Sequence, residues 1–444
     1  MIIARLAAAD LRSSWRVWAG LFVVCAVAAV AGSVPGVLIV GGLRTPGLQG
    51  VALLSISGTT AAFGLIAVLV VVSAVVRLTT ALLERTYALW QLAGVTPRGV
   101  RATMLTETTV VAAVGAIVGA VTATAFVPAL VSESLTGASG LRGVRIAGSW
   151  WEAIAVVCLT LVAAILGAVP GSRRAAAVSP LIVLRAAPER RKSIVVRVIV
   201  AGLLTALALA MLSGLPRSVA DGAAPALLIG PLLVAAVAVL GRTVAGTVVR
   251  LWTALVPERT SVGFSLARAS TRWSTSRSDT TLAALLIAVG LPTALIGGQR
   301  TAVTAMQGGA PGESSAGATA LLLSGPILLA AIGAAATAAM TARDRAREGE
   351  QLRAVGASPG LPLLVAAFEG LIISVTGVLT AAATVGLAVV AEWVALVGTY
   401  PASRPVFPLG VLTFAGAACG GLIVVSALLP AVLNMRREAP ALRG

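Results

Sequence analysis

The chain has 444 residues, 58% of them hydrophobic and only 11% charged, with a mean hydropathy of +1.00. A soluble core needs far less apolar surface, and this length holds many stretches of about 20 apolar residues, each enough to cross a bilayer. The net charge of +17 is compatible with nucleic acid, but its placement argues against that partner: six arginines (Arg44, Arg142, Arg145, Arg217, Arg300, Arg404) fall on one side of the expected topology and all other basic residues on the opposite side. This is the positive-inside bias, which orients a membrane protein and brings its arginines to anionic headgroups. The apolar runs are continuous rather than alternating, which disfavours a β-barrel. The expected fold is therefore all-α and polytopic, with about ten transmembrane helices and both termini cytosolic.

Residues 1–17 read as a basic interfacial helix, Leu6 and Leu11 opposing Arg5, Arg12 and Arg16, with Trp15 and Trp18 at headgroup level. This lead is long and lacks a small-residue cleavage site, so it reads as a retained anchor. Span 1 follows at about 18–43, with Pro35-Gly36 near its outer end, and span 2 at about 51–76. That helix is expected to continue into the cytosol, because no breaker occurs from Arg77 to Arg85. Span 3 is expected at about 105–130 and span 4 from Trp150-Trp151 to Pro170, closed by the basic segment 171–192. Spans 5 (about 194–213) and 6 (about 223–241) form a hairpin. A cytosolic connection at 242–279 precedes span 7 (about 280–298), span 8 (317–341), span 9 (361–391) and span 10 (409–433). The corresponding division is 1–50 (interfacial helix and span 1), 51–192 (spans 2–4), 193–250 (the hairpin), 251–316 (connection and span 7) and 317–444 (spans 8–10).

One stretch is stated twice. LLERTYALWQLAGVTPRGVRATMLTETTVVAAVGAIVGA, from Leu82 to Ala120, returns at a constant offset of 262 positions as ARDRAREGEQLRAVGASPGLPLLVAAFEGLIISVTGVLTAA, from Ala342 to Ala382. Arg85 matches Arg347, Gly94 matches Gly356, Pro97 matches Pro359, Glu107 matches Glu369 and Gly115 matches Gly377. The register is fixed and both copies stand at the same kind of boundary, which makes an internal repeat. FSLARASTRW at 264–273 likewise echoes the N-terminal ARLAAADLRSSW.

The residues limit the chemistry. There is no histidine, and Cys25, Cys158 and Cys419 lie inside apolar runs, so neither a metal centre nor a catalytic group is expected. The only lysine, Lys192, follows no glycine-rich loop, so this chain builds no phosphate-cradling P-loop. If ATP drives it, another subunit hydrolyses the ATP. Glu107 and Glu369, a turn or two inside the cytosolic boundary, admit three readings: an interfacial or capping glutamate, a polar contact passing motion between spans, or a proton relay. Glu152 and Glu392 sit at the outer interfaces, where solvation accounts for them. The Gly-x-[ST]-Pro break ends one helix and starts another. With the apolar face of Leu89, Trp90, Leu92 and Val95 in one copy and Leu352, Ala354 and Val355 in the other, it suggests a short helix across the cytosolic surface, either a plain connection or a dock for a cytosolic partner.

In these motifs the chain resembles the FtsX-like permeases of ATP-binding-cassette transporters, the mechanotransmission class. That family reads Leu-[RK]-Ala-[LMI]-Gly-Ala-[ST], then Leu-x-Glu and a glycine-spaced span; here stand LWQLAGVTPRGVRATMLTE and, closer, QLRAVGASPGLPLLVAAFE. The family's closing motif Arg-Ala-Ala-x-x-[SDN]-Pro-[VL]-x-x-Leu-Arg is nearly whole at Arg174–Arg185 and shortened to REAPALR at the C-terminus. The chain departs from it in Gln91, where a basic residue is expected, and in the absence of a large external domain between spans 7 and 8.

The resemblance implies a permease in a bacterial plasma membrane, its two repeats forming a pseudo-twofold dimer. It implies a separate cytosolic ATPase dimer that carries the ATP and magnesium, docked at Leu89, Trp90, Leu92, Gly94, Val95 and Pro97 and at Leu352, Arg353, Val355, Gly356 and Pro359. The implied work is export or outer-leaflet handling of a hydrophobic or amphipathic substrate such as a peptide or lipid. A non-transporting mechanotransmitter acting on an external partner, such as a cell-wall hydrolase, is the alternative. An ion-coupled carrier ranks last, for want of ionisable residues near mid-membrane.

Overall fold

The computed structural model describes residues 10–12, 14–136, 148–177, 194–220, 226–257, 261–273, 275–306, 316–340, 350–351, 354–358 and 360–438. Among these residues the regular structure is helical, without strands. The protein is an all-α polytopic membrane protein, as its composition requires: in lipid, backbone groups find partners only within helices or closed barrels. The helices are α1 (Trp15–Arg44), α2 (Leu48–Leu92), α3 (Pro97–Thr136), α4 (Trp150–Ala177), α5 (Ile194–Ala220), α6 (Ala226–Leu240), α7 (Arg242–Ala254), α8 (Val262–Trp273), α9 (Thr275–Met306), α10 (Ala316–Met340), α11 (Leu361–Val397) and α12 (Leu409–Glu438).

Ten of these fall where the sequence places spans, and α6 is the short one among them. Among the described residues eight helices are long and apolar enough, α1 to α5, α9, α11 and α12, and nine if α6 and α7 count as one broken span. α6 has 15 residues, about 22 Å at 1.5 Å per residue. The chain then bends by 86° at Gly241 into amphipathic α7. α10 has 25 residues, about 38 Å.

The helices group into two compact units. The first comprises Met1–Lys192 and Ser315–Met340, the second Ser193–Ser314 and Thr341–Gly444. In the first, α1 packs against α2, α3, α4 and α10. The α1–α3 crossing is close because Gly115 and Gly119 face the carbonyl oxygens of Phe22 and Ala26; a Cβ at Gly119 would fall 2.1 Å from the Ala26 oxygen. This is small-xxx-small packing, which lets backbones touch where lipid supplies no hydrophobic drive for association. Trp18 is buried here rather than at headgroup level, because α1 already begins at Trp15 and carries residue 18 into the packed bundle.

In the second unit α9 is the inner helix, with 94% of its apolar window buried, against 17% for α5, whose Val195, Val198, Ile199 and Leu203 stay open. Shifted by 262, the ends of α1, α3 and α4 coincide with those of α9, α11 and α12 to within three residues. The counterpart of α2 is α10, which packs within the first unit on α1, α2 and α3. Another difference concerns α6. On α1, the face carrying Gly32 and Gly36 receives Val156 and Glu152 of α4; on α9, the equivalent face, Ala294 and Gly298, receives Gly230 and the Ala226 carbonyl of α6.

Candidate functional site

The glycine of the repeated break takes the same left-handed conformation twice. α2 has neither glycine nor proline from Leu65 to Leu92 and runs unbroken past Glu84, where its apolar span ends. Gly94, at φ +92°, then stops it. The Val95 N–H donates to the Trp90 carbonyl (3.0 Å) and the Gly94 N–H to that of Gln91 (3.1 Å), a Schellman closure that only a left-handed residue completes cheaply. Three residues after Gly94, Pro97 opens α3, and the Thr96 Oγ1 accepts the Gly99 N–H at 3.2 Å. In the second copy Gly356 has φ +95° and α11 starts at Leu361, with Pro362 in its first turn. Leu352, Arg353 and Pro359 lie outside the described residues.

The separate short helix expected across the surface is not found in the first copy, because nothing interrupts α2; its amphipathic face is the last two turns of α2 itself. There Leu89 and Leu92 are each 54% exposed, Pro97 is exposed, and Val355 of the second copy is 89% exposed. Trp90 and Val95 are half-buried, Trp90 meeting the Tyr87 ring edge-on at 5.4 Å.

Behind the first turn, Glu107 is fully buried, three turns into α3, where it can neither snorkel nor cap a helix. Its Oε2 accepts the Tyr87 hydroxyl at 2.9 Å, which ties the end of α2 to α3 on the far side of the turn. Burial, and then the charge of Glu107 beside it, push the Tyr87 phenol above its ordinary range, so it remains a donor. The second copy cannot repeat this bond: residue 349, the counterpart of Tyr87, is glycine. Glu369 is buried as well, next to Phe368, whose ring meets Phe264 of α8 edge-on at 5.7 Å. There α7 and α8 brace α11: Phe264, Ala267 and Val249 pack on Ile372, and the Trp252 Nε1 donates to the Thr376 Oγ1 at 3.0 Å.

Two other glutamates prove to be inside, not solvated at an interface. Glu152 lies against Gly36, its Oε2 accepting the Ser149 N–H at 3.4 Å, and Glu392 is 1% exposed. Each meets a glycine of the first helix of its repeat, which leaves room for a carboxyl between helices. Sequence reading misses them because their partners are glycines more than 90 residues away.

Among the described residues no cluster of three or more His, Cys, Asp or Glu could hold a metal. Comparison with protein-family models, with curated proteins and with solved structures finds no match.

Proposed function

We propose that the chain is the membrane subunit of an ATP-binding-cassette transporter of the FtsX-like kind, driven by a separate cytosolic ATPase dimer. The observation that carries this reading is the left-handed glycine repeated at Gly94 and Gly356, with apolar side chains left exposed beside each. An apolar knob at the end of a long span suits a cleft in a partner that moves. The Tyr87–Glu107 bond supports the reading further, because it couples the two helices that leave the turn. On this reading the ATP and magnesium sit on the partner. Motion received at the two turns passes into α2–α3 and α10–α11, and a hydrophobic or amphipathic substrate is exported or handled at the outer leaflet of a bacterial plasma membrane. Both termini and both turns then face the cytosol, and one chain, presenting two knobs, serves two ATPase subunits.

The test is a co-purification. With an ATPase encoded beside this chain co-expressed, Leu92→Asp combined with Val355→Asp releases the ATPase from the membrane fraction while the permease inserts as before. Undiminished retention and coupled hydrolysis in that double variant sink the reading.

A further inference from the structure

The second unit holds a carboxyl group that the turn does not use. Glu392 lies in α11, its side chain sealed from solvent, and neither carboxyl oxygen has a hydrogen-bond partner among the described residues. A Cβ on Gly298 would fall 3.0 Å from both oxygens and 2.7 Å from the Ala226 carbonyl oxygen, so the absence of a side chain at residue 298 makes the space this carboxyl fills.

The repeat supplies an internal comparison. Gly36, the counterpart of Gly298 at the offset of 262, takes Glu152 in the same way, with Oε1 3.1 Å from where its Cβ would stand. The two glutamates are not counterparts of each other: Glu152 is on α4 and Glu392 on α11, at positions matching Phe414 and Leu130. On α9 the α6 hairpin helix occupies the face that α4 holds on α1, and a carboxyl reaches the notch from another helix. The place is filled in both units although the supplier differs.

Their settings differ in what they offer a charge. Glu152 stands in the first turn of α4, where the helix dipole favours an anion and the Ser149 N–H is within reach. Glu392 stands near the C-terminal end of α11, where the dipole disfavours an anion, and no donor reaches it among the described residues. The cations nearest this end of the surrounding elements, Arg300 of α9, Arg217 of α5 and Arg404 of the segment after α11, are exposed, whereas Glu392 is buried. α6 has no ionisable residue, α12 has before Arg436 only the thiol of Cys419, and Val249 of α7 with Phe264 and Ala267 of α8 packs on Ile372, toward the other end of α11. Tyr400 is half-buried and gives its hydroxyl to the Pro216 carbonyl at 3.5 Å. An isolated carboxylate so placed gives up its charge rather than bear the loss of solvation.

We propose that Glu392 is a proton-binding site, held as the neutral acid beside the Ala226 carbonyl and exchanging its proton only when the segment 398–408 lifts from α9. That segment is held on α9 beside the notch: the Arg404 N–H donates to the Thr304 Oγ1 (3.3 Å), the Val406 N–H to the Thr301 Oγ1 (3.2 Å), and Pro408 packs on the adjacent Gly297. The site stands apart from any ATPase and does not depend on the proposed partner.

The experiment uses the full chain in proteoliposomes. Dicyclohexylcarbodiimide, an apolar reagent, adds to protonated carboxyls in membrane interiors and remains as an N-acylurea with no leaving group, so peptide mass spectrometry locates it. At neutral pH the label falls on Glu392 severalfold more than on Glu152, declines as the pH is raised, and is lost in Glu392→Gln. Infrared difference spectra of the chain against Glu392→Gln, which need no reagent access, show the loss of a neutral-carboxyl C=O band. Loss of a carboxylate band instead, or equal labelling of the two glutamates in the unaltered chain, overturns the proposal.

Discussion

The two copies of the repeat share a turn and differ in how they secure the helices behind it. In the first, the lock is a side-chain bond internal to the copy, Tyr87 to Glu107, and the helices approach closely through Gly115 and Gly119. In the second, glycine stands in place of Tyr87 and alanine, Ala381, in place of Gly119; the bracing comes from α7 and α8, helices outside the copy, through Trp252, Phe264 and Val249. A duplicated scaffold thus keeps its backbone turn, which depends on one glycine, and replaces its side-chain locks, which depend on whatever packs nearby.

That comparison breaks most readily at Gly119. Gly119→Ala drives a Cβ into the Ala26 carbonyl and is expected to destabilise the first unit by about 3 kcal/mol. The mirror change Ala381→Gly, with nothing to collide, costs about 1 kcal/mol. Thermal unfolding of both variants in detergent checks this, and equal losses would show that the two crossings are alike. Next comes Tyr87→Phe, which strips a buried carboxyl of its donor at about 1–3 kcal/mol. A double-mutant cycle with Glu107→Gln should give a coupling above the sum of errors, and zero coupling would remove the lock. Trp252→Phe keeps the ring packing and deletes only the bond to Thr376, an expected loss of about 1 kcal/mol, read as earlier proteolysis of the second unit. The smallest effect on stability belongs to the exposed knobs: Leu92→Asp or Val355→Asp alone shifts unfolding by no more than about 0.5 kcal/mol. A large shift there would mean that these side chains are already covered.

Sequence alone gives much of the architecture because a membrane span announces itself by length and hydropathy, and a glycine–proline break by backbone geometry. The turn at Gly94 follows from a residue that tolerates positive φ and a proline that starts the next helix. Two features escape such reading. Where a helix packs is not encoded in its own apolarity, so α10 joins the first unit although it belongs in sequence with the second copy. Burial of a glutamate depends on a distant glycine: Glu392 looks interfacial until α11 is seen to continue to Val397 and Gly298 to receive it. The Trp252–Thr376 bond joins residues 124 positions apart and has no local signal.

The uninterrupted course of α2 has a mechanical consequence. Its 45 residues make a rod of about 68 Å, more than twice the roughly 30 Å of a bilayer's hydrocarbon core. Helices kink at proline, at glycine–serine pairs or where a side chain enters the hydrogen-bond ladder, and the run from Leu65 to Leu92 contains neither glycine nor proline. Ser73, Arg77, Thr79 and Thr80 do bond carbonyls of the preceding turn, so a displacement applied at Leu92 reaches Thr80, about 18 Å away, as translation or tilt before any of these side chains meets the ladder. The first place where that rod can flex is inside the lipid, not at its surface.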